Sequence, residues 1–365
     1  MHPDNLSISN SKTEYTRAKA VITIIAFIVI LCVVMSCAGK SYEEATQHNT
    51  INYFTKSRYD GFYELPQNSV DMVFLGSSHS YCTFDPENFD EAFGTSSWQL
   101  GTPLQTTDTT YYSLLRVLET QSPKVVVIEI YWDMLDDDFL IEQAKNFFAV
   151  LEDDELQNAY IKEVFPLGEK VKYRIKPIRY QADFFAYKAS EIKKSIQEKY
   201  GVYDPPEEET AGEEYYRSKG YVYCDYVMSE SEYDKTNQYK NFDGHSWEMK
   251  PEKAAYLEKI AKLCEEKGIK LIFVTAPIAP VSMDYIKNYD EVHDKLSDLA
   301  RNLNVPYIDY NEKNYNEKIL TNEYFRDDAH LNDRGVKVID GMFKDYLVEN
   351  GYFQERIDNG EQTAD

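Results

Sequence analysis

Cysteine is scarce in this chain, with five residues in 365. Cys32 and Cys37 sit in an apolar run, leaving Cys82, Cys224 and Cys264 for the remainder. An odd, widely spaced set carries neither metal-ligand spacing nor a disulfide framework. One pair can still bridge if the domain is exported, but the sequence selects none. Positive charge is also short: 39 basic residues stand against 63 acidic ones, a formal net charge of −24. Such a chain is repelled by phosphate backbones, which excludes nucleic acid as a partner. Tyrosine, at 31 residues, is plentiful. Its ring can stack on sugars, although half-buried surface packing accounts for it equally well.

Charge is missing altogether from residues 20–38, AVITIIAFIVILCVVMSCA. That run is long enough to cross a bilayer as a helix. Lys12, Arg17 and Lys19 precede it, and Glu43 and Glu44 follow. Positive charge stays inside, so residues 1–19 are expected in the cytoplasm and everything after Lys40 outside. Three fates fit. The long leading segment favours a retained single-pass anchor. Cleavage near Ala38 is compatible with the small residues Ser36 and Ala38. Val34-Met35-Ser36-Cys37 loosely resembles a lipobox, which would place a lipid on Cys37, although Met35 fits poorly. All three put a globular domain on the outer face of a membrane.

Residues 39–60 read as a connector, and connecting sequence continues to about residue 68. Val70 to Leu75 is a short buried strand, and residues 96–100 suggest a second. Residues 107–119 carry Tyr111, Leu114, Leu115 and Leu118 on one helical stripe. Residues 124–131, KVVVIEIY, form the clearest buried strand. From Pro251 the alternation returns: helix 251–267, closed by Gly268; strand 269–278; helix 286–303; strand 305–310; helix 332–349. Strands alternating with helices imply a mostly parallel sheet covered on both faces. Such sheets place their sites at the C-terminal ends of strands.

Residues 133–249 break the alternation and read as an insertion, a cap beside the site. Helical patches are expected at 137–151 and 180–200, and an exposed acidic loop at 204–214. The short basic stretch 170–179, KVKYRIKPIR, can meet anionic lipid or an acidic ligand, or simply balance nearby carboxylates. Residues 353–365 read as a flexible tail.

The first strand runs into Gly76-Ser77-Ser78-His79-Ser80. A strand ending in Gly-Ser-Ser can present a nucleophile, and is also an ordinary strand-to-loop turn. It is not the Gly-x-Ser-x-Gly elbow, because Ser80 stands where the second glycine would be. A nucleophilic serine needs a base, and the base an orienting group. His2 is cytoplasmic, His48 lies in the connector and His245 in a loop, while His293 reads as a solvated helix histidine. His79 adjoins Ser78, and neighbours on an extended chain point apart. His330 remains, in YFRDDAHLNDRG, with Asp327 three residues before it. In a tight turn that spacing brings a carboxylate to the imidazole Nδ1. The blander alternative is an N-cap cluster in which Asn332 or Asp333 starts the last helix.

VFLGSSHS near the start of the domain and DDAHLNDRG near its end resemble the first and last blocks of the SGNH/GDSL hydrolase superfamily. The likeness spans roughly residues 60–132 and 250–350, and is nearest to the membrane-anchored branch similar to DltD and the alginate O-acetylation proteins. The resemblance implies an α/β, flavodoxin-like three-layer sandwich with a mostly parallel five-stranded sheet. To this are added a largely helical insertion and one N-terminal transmembrane helix. The domain would span 61–352 with the insertion at 133–249. Carried over residue by residue, the nucleophile is Ser78 and its partners are Asp327 and His330. The oxyanion donors are the backbone N–H groups of Ser78 and Gly101. The family's third block, Gly-x-Asn-Asp, is absent. Here the strand ends VVVIEIYWDM, placing Glu129 or Tyr131 where an asparagine donor is expected, with Ser77 and His79 as further neighbours.

The resemblance implies an esterase or O-acyltransferase acting on acyl, chiefly acetyl, esters of a cell-surface or secreted glycan, or on a small ester. No cofactor and no metal are called for. A membrane-bound O-acyltransferase is the implied partner, and residues 20–38 contact the membrane. The alternative is a non-catalytic SGNH-like domain that binds glycan or docks on such an acyltransferase. A third reading, with Asp327, Asp328 and His330 as metal ligands, lacks a second cluster.

Overall fold

The structure is a computed structural model. It describes residues 4–50, 53–151, 154–186, 188–199, 210–211, 214–233 and 237–356. The chain opens with helix α1 (Asp4–Thr50) and α2 (Tyr53–Tyr63). Strand β1 (Met72–Leu75) leads into the single turn α3 (Ser78–Tyr81) and then α4 (Pro86–Phe93). Next come β2 (Ser97–Gln99), α5 (Thr107–Thr120) and β3 (Val125–Glu129). Five helices follow: α6 (Ile141–Val150), α7 (Asp154–Val164), α8 (Leu167–Arg174), α9 (Lys176–Ala186) and α10 (Ala189–Lys199). Three short strands come after them, β4 (Thr210–Ala211), β5 (Glu214–Ser218) and β6 (Tyr221–Cys224). The chain then forms α11 (Pro251–Lys267), β7 (Lys270–Thr275), α12 (Pro280–Met283) and α13 (Tyr289–Asn302). It closes with β8 (Tyr307–Asp309), α14 (Tyr310–Glu317) and α15 (Asp333–Glu349).

Two compact units result: residues 1–49 with 165–205, and residues 50–164 with 206–365. In the first unit, residues Tyr15–Glu43 of α1 are long and apolar enough to cross a membrane, with a mean hydropathy of 3.0. At the C-terminal end of that stretch α1 packs on α9. A Cβ at Gly39 would lie 2.8 Å from Lys176 Cβ, so the helices meet where α1 has no side chain. Glu43 pairs with Lys176 at 3.0 Å and accepts a hydrogen bond from the Tyr180 hydroxyl. Where a connector is expected, the chain is helical through Thr50 and again over Tyr53–Tyr63. The helix expected over 180–200 is two helices, α9 and α10.

The second unit is built on a five-stranded sheet of order β2-β1-β3-β7-β8, every pair parallel. Counted within this sheet alone, that is the doubly wound order 2-1-3-4-5, whose switch point lies between its first and third strands. The fold is α/β, as the alternation implies. Strands β1 and β3 are buried on both faces, so their sequences are continuous apolar runs rather than alternating ones. Met72, Phe74, Val125, Val127, Ile272 and Val274 point into one core layer with Phe89 of α4 and Val336, Ile339, Phe343 and Leu347 of α15. Helices α5 and α11 pack together over β1 and β7. Pro251 opens α11, and Gly268 closes it in the left-handed conformation, as the sequence predicts.

The stretch 133–249 is not simply a helical cap. Its residues 165–205 belong to the first unit. In the second unit it also forms an antiparallel sheet, β4-β5-β6. Of the acidic loop expected at 204–214, residues 204–209 and 212–213 lie outside the described residues. Thr210 and Ala211 pair with Tyr215 and Glu214. The tail from 357 onward also lies outside them. The β5–β6 hairpin turns through Lys219 and Gly220, both at positive φ. Its tip seals the β2 edge of the main sheet, with the Gln99 N–H donating to the Lys219 carbonyl at 2.9 Å. A Cβ on Gly220 would sit 2.1 Å from the Gln99 carbonyl oxygen. Gly220→Ala is therefore expected to cost roughly 3 kcal/mol, combining backbone strain with a clash that neither strand can relieve. Thermal unfolding in detergent reads this out. A cost under about 1 kcal/mol, the size of an ordinary substitution, would mean the tip is not seated on β2.

The cysteines Cys82, Cys224 and Cys264 are buried and free, so no pair bridges. His293 is not a solvated histidine. Its Nδ1 lies 2.9 Å from Asp309 Oδ2, and its Nε2 meets the Ser297 hydroxyl.

Candidate active site

Strand β1 delivers the chain to the switch point and ends there in Gly76. At φ +145° this position excludes a side chain, and a Cβ would lie 2.7 Å from Glu129 Cβ. Ser77 caps α3, its Oγ accepting from the His79 N–H at 3.2 Å. Both the Ser77 N–H (2.9 Å) and the Ser77 hydroxyl (2.8 Å) donate to Glu129 Oε2. The turn is thus pinned to the end of β3, and Ser78 stands at the first position of α3, part-exposed.

His330 reaches the same point from the far end of the chain. Its loop is drawn tight by a Phe325–Leu331 bridge and by the Arg326 N–H donating to the His330 carbonyl at 2.9 Å. Within it Asp327 Oδ1 accepts from the backbone N–H groups of Ala329 (2.8 Å) and His330 (2.7 Å). Its Oδ2 lies 3.0 Å from His330 Nδ1. Asn332 caps α15 directly after, accepting from the Arg334 and Gly335 N–H groups. The cap cluster and the Asp-x-x-His turn are therefore the same loop. His330 Nε2 lies 2.9 Å from Ser78 Oγ. With the ring proton on Nδ1, toward the carboxylate, Nε2 is free to accept from the serine.

The electrostatics follow from these contacts. Burial pulls the His330 pKa down, but the charge of Asp327 and its hydrogen bond outweigh that and leave it raised. Burial would raise Asp327, yet His330 and the two backbone donors hold it well below the carboxylate range. Its side chain keeps 45% of its surface exposed, so solvent screens part of this. His79 is buried and lies 4.7 Å from the His330 ring, face to face with Tyr131 at 4.1 Å. Burial, then the neighbouring imidazole, drives its pKa well below 6.5, so it packs as a neutral ring. Tyr131 turns its hydroxyl to Tyr239 (3.0 Å) and Asp133 (3.3 Å).

Several solved structures are similar to the chain, three of them as follows. One is a candidate acylhydrolase from Bacteroides fragilis, at 12% identity over 82% of this chain and 98% of that one, TM-score 0.38. Another is a GDSL-like lipase from Bacteroides thetaiotaomicron, at 12% identity, 81% and 99% coverage, TM-score 0.37. The third is a lipase/acylhydrolase from Enterococcus faecalis, at 12% identity, 79% and 99% coverage, TM-score 0.35. No family model matches the chain, and no curated protein matches it.

The family resemblance implies Gly101 as a second oxyanion donor. Gly101 does lie against the serine turn, where a Cβ would come within 2.9 Å of the Gly76 carbonyl. Its N–H, however, donates to Gln99 Oε1 at 2.8 Å. Gln99 is fully buried, and its amide also holds the Ser80 hydroxyl. Among the described residues the Ser78 N–H has no such partner. Glu129, at the third-block neighbourhood, is buried with its Oε1 unpartnered. Burial pushes its pKa up to about 7 against the hydrogen bonds from Ser77. The protonated form, unlike the carboxylate, can donate.

Arg326 was not singled out from sequence. It is buried, donating through Nε to the Leu331 carbonyl (2.7 Å) and through Nη2 to the Val222 carbonyl (3.1 Å) of β6. Its Nη1 meets Glu214 of β5 at 2.8 Å. The hairpin thus holds the histidine loop. An arginine directly before the Asp-x-x-His turn was the available signal, but its partners are 104 and 112 residues away. Asp328 turns to the Gln238 N–H. Among the described residues no three His, Cys, Asp or Glu side chains form a group that could hold a metal ion.

Proposed function

We propose that the protein is a membrane-anchored, extracytoplasmic serine esterase or O-acyltransferase. Its substrates would be acyl esters, chiefly acetyl, of a cell-surface or secreted glycan. The observation that carries this is the 2.9 Å contact from Ser78 Oγ to His330 Nε2, with Asp327 behind the ring. Ser78 Oγ attacks the ester carbonyl while its proton passes to His330 Nε2. Asp327 steadies the imidazolium, and the Ser78 N–H meets the oxyanion. His330 then returns the proton to the leaving alkoxide, and an acyl-Ser78 intermediate remains. Water or a glycan hydroxyl, deprotonated by His330, releases the acyl group. Residues 20–38 supply the anchor, and the basic flank at Lys12, Arg17 and Lys19 supports an outward-facing domain.

A second reading has a specific observation behind it. With Gly101 committed to Gln99 and no third-block asparagine, the oxyanion site has one open backbone donor. Loss of a single donor typically costs about 10²- to 10³-fold. A non-catalytic glycan-binding or docking partner of a membrane-bound O-acyltransferase is compatible with that. Fluorophosphonate labelling of the full chain in membranes separates the two. Under the enzyme reading the parent and Ser77→Ala label, while Ser78→Ala and His330→Ala do not. A folded parent that does not label supports the binding module.

The pH profile follows from the raised His330 pKa. His330 must be neutral to take the proton, so kcat/KM falls on the acid side with a midpoint above 6.5. Asp327→Asn should move that midpoint downward. An acid limb centred below 6.5 in the parent would contradict the ion pair.

A further inference from the structure

We propose that α8 is a second membrane contact, lying in the outer headgroup layer of the bilayer that α1 crosses. This rests on the anchor reading above. In α8, Leu167 and Val171 are 81% and 60% exposed, and Ile175, just past its end, is 38% exposed. At about 100° per residue, their spacing of four puts them on one stripe. Tyr173 lies on the opposite side of the helix and is buried. Lys170 and Lys172 fall on the two flanks of the stripe, and exposed Arg174 lies beside it. An apolar stripe edged by basic side chains is the pattern of a helix that lies in a membrane interface.

Within the same unit, α8 is tied to the point where α1 leaves its apolar stretch. Gly39 packs against Lys176 and Pro177, one turn beyond α8. Tyr42 stacks on Phe184 with ring centroids 4.4 Å apart, and Phe185 beside it is 74% exposed. Tyrosine rings such as that of Tyr42 gather at the headgroup level. Exposed apolar side chains at this depth have lipid as their neighbour, and the lysines and Arg174 have phosphate. Glu169 is the acidic residue within α8, and it pairs with Lys172 at 3.4 Å.

The test uses the full chain with Cys32→Ser and Cys37→Ser, reconstituted into vesicles of phosphatidylcholine with phosphatidylglycerol. An environment-sensitive fluorophore is placed at Val171→Cys, at Ile28→Cys in α1, or at Tyr315→Cys, an exposed position of the other unit. Nitroxide lipids labelled at the headgroup or deep in the acyl chain act as quenchers. The proposal expects headgroup quenching at Val171, deep quenching at Ile28 and neither at Tyr315. Charge reversal at Lys170, Lys172 and Arg174 should lower the Val171 quenching. If Ile28 is quenched while Val171 behaves like Tyr315, the helix contact is overturned and the anchor stands. If Ile28 is also unquenched, the anchor fails and the contact with it.

Discussion

Ser78→Ala is expected to lower kcat on an aryl acetate by on the order of 10⁵- to 10⁶-fold, and His330→Ala by about as much. The reasoning is geometric. The serine hydroxyl has His330 Nε2 at 2.9 Å as its proton acceptor. Neighbouring His79 cannot replace it, because burial keeps its basicity low. Because the two groups act as a unit, the double variant should lose little beyond either single one. Asp327→Asn leaves the turn able to form but removes the charge that holds the tautomer, and about 10⁴-fold is expected. Steady-state rates on one ester, with folding checked by thermal unfolding, decide this. Additive losses would show that the two side chains do not act together.

The second large effect concerns stability. Glu129 has a folded-state pKa of about 7, against about 4.3 for an unperturbed glutamate. A raised folded pKa means the fold prefers the protonated form. Its contribution is full below about pH 4.3 and is lost as pH rises through 7. The difference corresponds to roughly 4 kcal/mol. Glu129→Gln keeps an oxygen for both Ser77 donors and cannot ionise. Its stability relative to the parent should therefore rise between pH 5 and pH 8. Glu129→Ala leaves the buried Ser77 donors unpaired and should destabilise at every pH. Comparison with the glutamine variant is needed because other carboxyls titrate too, Asp85 and Asp133 each being pushed up to about 6 by burial. Parallel curves for parent and glutamine variant would refute the buried-acid assignment.

Much of the second unit was legible because its signals are local. Val125–Glu129 announces itself by an unbroken β-branched run, and α11 by Pro251 and Gly268. Ser78, Asp327 and His330, which the structure brings within hydrogen-bond distance of one another, each sit in a short distinctive stretch of sequence. The Lys219-Gly220 turn between aromatic strands could have been read and was not. What sequence did not convey were contacts made by distant side chains. Gln99 occupies the Gly101 N–H, and Glu129 holds Ser77 from 52 residues away. Arg326 finds its partners in what looked like a cap. Gln99 has no local pattern that distinguishes it from an ordinary polar position, and these partners of Glu129 and Arg326 lie 52 to 112 residues away along the chain.

Ser78 and His330 are 252 residues apart in the chain. At about 5–20 residues per second, synthesis takes roughly 13–50 s to travel from one to the other. Throughout that interval the serine has no partner to take its proton. On the proposed mechanism the nucleophile is therefore made early and armed late, after the last strand of the main sheet, β8, has been synthesised. A chain interrupted before Asp327 carries the serine but neither of the two side chains proposed to activate it.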